Sequence, residues 1–451
     1  VSRLAIEIND AGITVARDGR LLLESPGYAL AEADGLLLGP EAEARAYLLP
    51  GQTYSRFWDE LSTQPLSRPT PQARTPADLA YHHLAAIWEQ VQADTSAVIL
   101  CVPGTYSRAQ LELLLGIAQE LGIPVQGLVD TALTAARPAP GSKTLLHVDA
   151  HLHRIVVTRM TVEGSLRRTD VQVSRDTGFV GLRNAWVKAI AMQFVRTIRF
   201  DPLHTADTEQ SLHRQLPDLL ATLGDAAAVE ATVDHAGRRH TVSLPREPLT
   251  TAVASLYGRI AALASGQAHG PGAATFITHR LAAFPGLMAT LQMSAGQAPV
   301  ALPAGASALG ALIRADELLG ASDDFVLTTM LPVEEPAPQA PPVRSPSVTH
   351  RPPTHILYHG LAYPLGPEPF LLGRELGGGE RGLQLPPDSP GVSRRHCSLL
   401  LRGTEVVVED HSSYGTYVNQ ERVDGTRVVK VGDRLRLGSG EELQVIAVAE
   451  P

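Results

Sequence analysis

The segment from Pro332 to Pro353 constrains this chain more than any other feature. Eight of its 22 residues are proline, mixed with Glu, Ser, Gln and Ala. Proline fixes φ and carries no N–H, so a stretch this rich in it neither propagates a helix nor joins a sheet. Such a composition behaves as an extended, semi-stiff tether. The tether divides the 451 residues into a larger N-terminal part, residues 1–327, a Pro-rich linker, 328–353, and a C-terminal module, 354–451. Each part lies in the size range of one core or a few lobes.

The C-terminal module reads as all-β. Short apolar runs recur at His355–Tyr358, Pro369–Leu372, His396–Leu401, Glu405–Val408, Thr416–Val418, Arg434–Leu437 and Glu442–Ile446. Turn residues such as Gly366-Pro367, Pro386-Pro387 and Asp424-Gly425 punctuate them. Many short strands at close spacing indicate a sandwich of two sheets.

The N-terminal part alternates strands with long helices. Ala97–Val102 is a continuous apolar run, as expected of a strand buried on both faces. Ser107 then opens a helical leucine pattern that stops at Gly122. Leu145–Asp149 and Arg154–Thr158 look like neighbouring strands, and Thr177–Phe200 reads as helix. No internal repeat period is visible, so the part is α/β rather than a solenoid.

A net charge of −9 argues against a general nucleic-acid or anionic-membrane binder. No apolar stretch reaches the roughly 18 residues a bilayer span needs. The chain opens directly into strand Leu4–Ile8 with no visible signal peptide, although its first residue is Val. Two cysteines, Cys101 and Cys397, in apolar runs make no disulfide framework. A reducing, cytoplasmic setting is expected, with both thiols as core residues.

Three motifs of the C-terminal module carry chemistry. Gly373-Arg374 follows an apolar strand, Ser393-Arg-Arg-His396 precedes another, and Asp410-His-Ser-Ser-Tyr-Gly-Thr-Tyr-Val-Asn419 follows a third. A fixed guanidinium, hydroxyl donors and rigid loops are what recognition of a phosphorylated side chain requires. In order and spacing these motifs resemble the forkhead-associated (FHA) family over nearly all of Thr354–Pro451. The resemblance implies a phosphothreonine-binding module that catalyses nothing. Arg374 would pair with phosphate, Ser393 would give it a hydroxyl, Arg394 would contact the peptide, and Ser413 would help select phosphothreonine. Gly373, His396, Gly415 and Asn419 would be structural. Tyr414 stands where the family usually has Asn, which implies weaker binding or a different flanking preference. The module holds 10 Lys+Arg against 13 Asp+Glu, so attraction to phosphate must be local.

The N-terminal part resembles the nucleotide-binding domain of the Hsp70/actin superfamily, over Leu4 to Gly320. The resemblance runs through Val98-Ile-Leu-Cys-Val-Pro103, Ser107-Arg-Ala-Gln-Leu111, Leu121-Gly-Ile-Pro124 and Asp130-Thr-Ala-Leu-Thr-Ala-Ala136. It implies a two-lobed ATPase fold, but the loops that cradle phosphate are altered. The first, usually Asp-x-Gly-Thr-Thr, is Glu7-Ile-Asn-Asp-Ala-Gly12. The second, usually Asp-x-Gly-Gly-Gly-Thr, is Asp149-Ala-His-Leu-His-Arg154. The adenosine-side Gly-Gly is His279-Arg280. Glycines in such loops let backbone N–H groups approach phosphate, and their loss implies a pseudo-ATPase. Glu7, Asp149 and Gly178 are the residues left to hold residual nucleotide or Mg²⁺. His147, Asp149, His151 and His153 alternate along a strand, but a closed zinc site draws tetrahedral ligands from more than one element, and no metal is assigned.

The expected protein is therefore a bacterial, cytoplasmic signalling adaptor. Its FHA module recruits a threonine-phosphorylated partner, downstream of a Ser/Thr kinase, to an Hsp70/actin-like platform. Thr328 and Thr329, at the start of the tether, are candidates for phosphorylation and docking into the chain's own module. The alternatives are an active Hsp70-like ATPase regulated through the module and a filament-forming actin-like protein.

Overall fold

The computed structural model describes residues 2–33, 35–138, 142–267, 273–319, 326–333, 353–358, 361–377, 379–387, 389–402, 405–419, 421–438 and 441–447. The chain divides into two compact units, Val1–Pro338 and Gln339–Pro451. The tether proper, 334–352, lies outside the described residues.

The first unit is α/β and holds two large mixed sheets. In one, Ser2–Glu7 is central. It pairs antiparallel with Ile13–Arg17, which pairs with Arg20–Ser25, and on its other side runs parallel to Thr95–Val102 and then Val125–Asp130. In the other, Thr144–Ala150 is central. It pairs antiparallel with Ile155–Val162, which pairs with Ser165–Ser174, and on its other side runs parallel to Ala274–Ile277 and then Val300–Ala301. The two sheets thus share one strand order, three antiparallel strands continued by two parallel ones. The sequence shows no repeat because the insertions between equivalent strands differ in length and type.

Local chemistry explains the elements. Ser107 caps helix Arg108–Glu120 by accepting from the Gln110 N–H, while the Gln110 side chain accepts from the Ser107 N–H. Gly122 then takes the left-handed conformation that ends the helix. Ala97–Val102 is buried throughout because parallel neighbours flank it and helices cover both faces. One core cluster joins the sheets, uniting Ala5, Ile99 and Val129 of the first with Leu145, Met160 and Leu166 of the second.

Thr328 and Thr329 do not begin a free tether. The Thr328 N–H donates to Leu128 O at 2.8 Å, and Thr328 O accepts from the Asp130 N–H at 3.1 Å. Thr329 O accepts from the Arg168 N–H at 3.0 Å, and strand Met330–Pro332 pairs with Ser165–Arg167. Both threonines are half-buried in a strap across the edges of both sheets. The expectation of a flexible, kinase-accessible site fails here because open sheet edges recruit the backbone.

The second unit is all-β. A six-stranded sheet runs Leu361–Pro364, His355–Tyr358, Glu441–Ile446, Arg434–Leu437, Thr416–Val418, Glu421–Arg422. A five-stranded sheet runs Gly382–Gln384, Phe370–Gly373, Cys397–Arg402, Glu405–Asp410, Thr426–Val429. Their inner faces share a core that includes Ile356, Leu435 and Val445 from one sheet and Leu372, Leu399 and Val408 from the other. The loops at the strand ends hold the sequence motifs.

Candidate functional site

In the second unit, Arg374 follows strand Phe370–Gly373, Ser393 and Arg394 lie in the loop before Cys397–Arg402, and Ser413 and Tyr414 lie in the loop after Glu405–Asp410. Ser393 ties these loops together. Its carbonyl accepts the Arg374 N–H at 3.2 Å, its hydroxyl accepts the Ser413 N–H at 3.3 Å, and its own N–H donates to His396 Nδ1 at 3.0 Å. The Glu375 N–H donates to Arg394 O at 3.0 Å, locking the two strand ends side by side. Gly373 permits this approach, since a Cβ there would lie 2.1 Å from Arg394 O.

His396 is wholly buried. Acceptance at Nδ1 puts the single ring proton on Nε2, so the ring is neutral. Burial lowers its pKa and keeps it so. The Ser413 loop is braced by residues to which the sequence reading gave no role. Asp410 Oδ1 accepts from the Ser412 N–H at 3.1 Å and the Thr416 hydroxyl at 2.8 Å, and Ser412 Oγ accepts from the Gly415 N–H at 2.7 Å. The Asp-x-Ser turn signature was the available signal. Gly415 has φ +95°, which a side chain would oppose. Asn419 closes the next turn, donating to Asp433 Oδ1 at 2.8 Å and accepting the Arg434 N–H at 3.0 Å.

Arg374 donates from Nη1 to Pro387 O at 3.0 Å, while its Nε is buried without a partner among the described residues. A buried unpaired guanidinium N–H is costly and calls for an explanation. Arg394 is exposed, with only a 4.0 Å approach to Glu375, whereas Arg395 is paired with Glu380 at 2.6 Å. Tyr414 stands 70% exposed beside Ser413.

In the first unit the two altered hairpins face one another and are bonded together. Asn9 Nδ2 donates to Asp149 Oδ2 at 2.9 Å and to Ala150 O at 3.3 Å. Asp10 Oδ1 accepts the Leu152 N–H at 2.9 Å and meets His151 Nδ1 at 3.1 Å. Gly178 does not open toward a ligand space, because a Cβ there would lie 2.3 Å from Arg154 N. Beyond it, the first N–H groups of helix Phe179–Ile198 donate to His151 O at 2.8 Å and Leu152 O at 3.0 Å. The first two donors that the helix start would offer an anion are thus already used. Arg280 Nη2 donates to Gly12 O at 2.6 Å and to Glu24 at 2.8 Å, with Glu7 at 3.7 Å. Asn9, Asp10 and Arg280 carry this closure. The first two sit in a loop that the sequence reading judged only by its missing glycines.

The cysteines are inert core residues, for burial pushes the thiols of Cys101 and Cys397 up to about 12. Among the described residues, no helix is long and apolar enough to cross a membrane.

Residues 370–438 match the family model of the FHA domain. The three loops tied by Ser393 fall within that match, so the second unit carries an FHA domain, a module of phosphothreonine-dependent protein interaction. No curated protein matches the chain.

Two predictions follow from these contacts. Gly373→Ala should destabilise the second unit by at least about 2 kcal/mol, because backbone blocks the added methyl. Amide hydrogen exchange of the full chain would show it as faster exchange across Phe370–Arg402, and unchanged exchange there would refute the contact. The second concerns Glu7, whose carboxyl burial raises to about 7 from 4.5 against the pull of Arg280. The folded state then holds this proton more tightly than the unfolded one. Its stabilising effect is full below about pH 4.5 and is lost as pH rises through 7. Wild-type stability relative to Glu7→Gln should therefore fall by roughly 3 kcal/mol over that interval. Urea unfolding read by tryptophan fluorescence isolates the first unit, since Trp58, Trp88 and Trp186 are the only tryptophans. A pH-independent difference would contradict it.

Proposed function

We propose that the protein is a phosphothreonine-dependent adaptor whose FHA domain recruits a phosphorylated protein to an Hsp70/actin-like pseudo-ATPase platform. The observation that carries the first half is the loop cluster at Ser393, whose carbonyl accepts the Arg374 N–H and whose hydroxyl accepts the Ser413 N–H. The Arg374 guanidinium, which spends one N–H on Pro387 O, would pair with the phosphate, and the Ser393 hydroxyl would add a hydrogen bond. Arg394 is free to reach the peptide, Ser413 borders the phosphorylated side chain, and Tyr414 offers an aromatic face where Asn would bind backbone. A threonine kinase acting on the partner is implied. The supply of phosphate on Thr328 or Thr329 is not part of this reading, because both are held in the strap.

The Hsp70/actin-like reading of the first unit draws support from its two sheets of one strand order and its two opposed hairpins. The pseudo-ATPase reading draws support from what fills the space between them. Asp10 accepts a hairpin N–H, and hairpin carbonyls cap the helix start. A phosphate entering there would meet the Asp10 carboxylate, with the Leu152, Phe179 and Val180 amides already bonded to protein.

Two measurements test the proposal. A phosphothreonine peptide library should bind the wild-type chain only when phosphorylated, and Arg374→Ala should lose about thirtyfold or more of that affinity. Phosphate-independent binding, or binding indifferent to Arg374, would overturn the reader. Millimolar Mg-ATP should produce neither saturable binding nor turnover above background by the first unit. Hydrolysis abolished by Asp149→Ala would make the first unit an active ATPase instead.

A further inference from the structure

Beside the closed hairpins the first unit has a cavity of about 480 Å³, in the usual range for a small-molecule site. Its apolar walls come from Phe179, Phe284, Leu216 and Leu220, with the flat rings of Pro26 and Pro40. Four charged side chains also line it, and they cancel. Arg280 is taken by Glu24 at 2.8 Å, Gly12 O at 2.6 Å and Thr14 Oγ1 at 3.3 Å. Arg183 is ion-paired with Glu43 and donates from Nη2 to His213 O at 3.2 Å. That carbonyl is open because Pro217, four residues on in helix Ala206–Asp225, supplies no N–H. Neither guanidinium is left free for an anion. Among the polar side chains lining the cavity, the His279 ring has no hydrogen bond to the described residues, although its carbonyl accepts the Ala283 N–H at 3.0 Å. Burial and Arg280 lower its pKa, so the ring is neutral near pH 7.

We propose that this cavity binds an uncharged aromatic small molecule, packed against the apolar wall where the Phe179 and Phe284 rings meet edge-to-face at 5.9 Å, and hydrogen-bonded to His279. The inference rests on the pseudo-ATPase reading, since a cleft that accepted polyphosphate would need one of these cations unpaired. An anionic ligand would enter an apolar space with no charge to meet it, at a cost that an uncharged isostere avoids.

Indole, indole-3-acetate and Mg-ATP, each titrated against the full chain by saturation-transfer NMR, separate the cases. Indole should bind saturably and indole-3-acetate at least about tenfold more weakly. His279→Ala should weaken indole roughly three- to tenfold, the effect of one hydrogen bond. Ala283→Trp, at an exposed rim position, should abolish the signal by filling the mouth while the circular dichroism spectrum stays unchanged. Absence of saturable indole binding, or equal binding by wild type and Ala283→Trp, would overturn this inference and leave the pseudo-ATPase reading intact. Displacement of indole by Mg-ATP would overturn both. Because His279→Ala changes a partly exposed side chain, it keeps the proposal testable if the tryptophan variant fails to fold.

Discussion

Backbone passing against backbone at Gly373 is the contact on which the second unit's site depends. With Arg394 O seated where a side chain would begin, the Arg374 and Ser393 loops share hydrogen bonds instead of swinging separately. His396 then fixes the Ser393 N–H from beneath, and the Ser393 hydroxyl holds the Ser413 loop. The three loops that carry Arg374, Ser393 and Ser413 are therefore tied together before any ligand arrives, which lowers the ordering cost of binding. The same device has the opposite result in the first unit. Gly178 lets a helix start press onto the hairpin at Leu152–Arg154, and the donors that could have bound an anion are used on protein carbonyls.

The two units differ most in how they treat arginine. In the first, Arg280 and Arg183 are each held by a carboxylate and a backbone carbonyl, so their charge is cancelled where it lies. In the second, Arg374 spends one N–H on Pro387 O and keeps Nε buried and unpaired. An unpaired donor of this kind lowers stability in the free state.

Much of the second unit was legible in its sequence because each motif is local. A glycine, an arginine and a serine at strand ends keep their roles whatever the rest of the chain does. The strands that the sequence reading missed, Leu361–Pro364, Gly382–Gln384, Glu421–Arg422 and Thr426–Val429, are short, each two to four residues, and exist through pairing with a neighbour. In the first unit, helix Arg108–Glu120 and the buried strand before it followed from capping and apolar patterning. The closure of the hairpins did not, because Asn9 and Asp149 lie 140 positions apart. Nor did the strap at Thr328–Pro332, where sheet edges outweigh what composition suggests.

The charge balance adds a constraint on how the FHA domain works. Its part of the chain carries three more acidic than basic residues, so the long-range field does not draw an anion in. Affinity has to arise within hydrogen-bond range of Arg374 and Ser393, where screening by salt is weak. Glu375 and Glu380, beside Arg394 and Arg395, sharpen this further. Under the proposed reading they would repel an acidic flank while leaving the phosphate to Arg374, and the ring of Tyr414 is exposed. On the proposed reading, a segment with one phosphothreonine and uncharged or basic neighbours would fit these conditions better than one with an acidic flank.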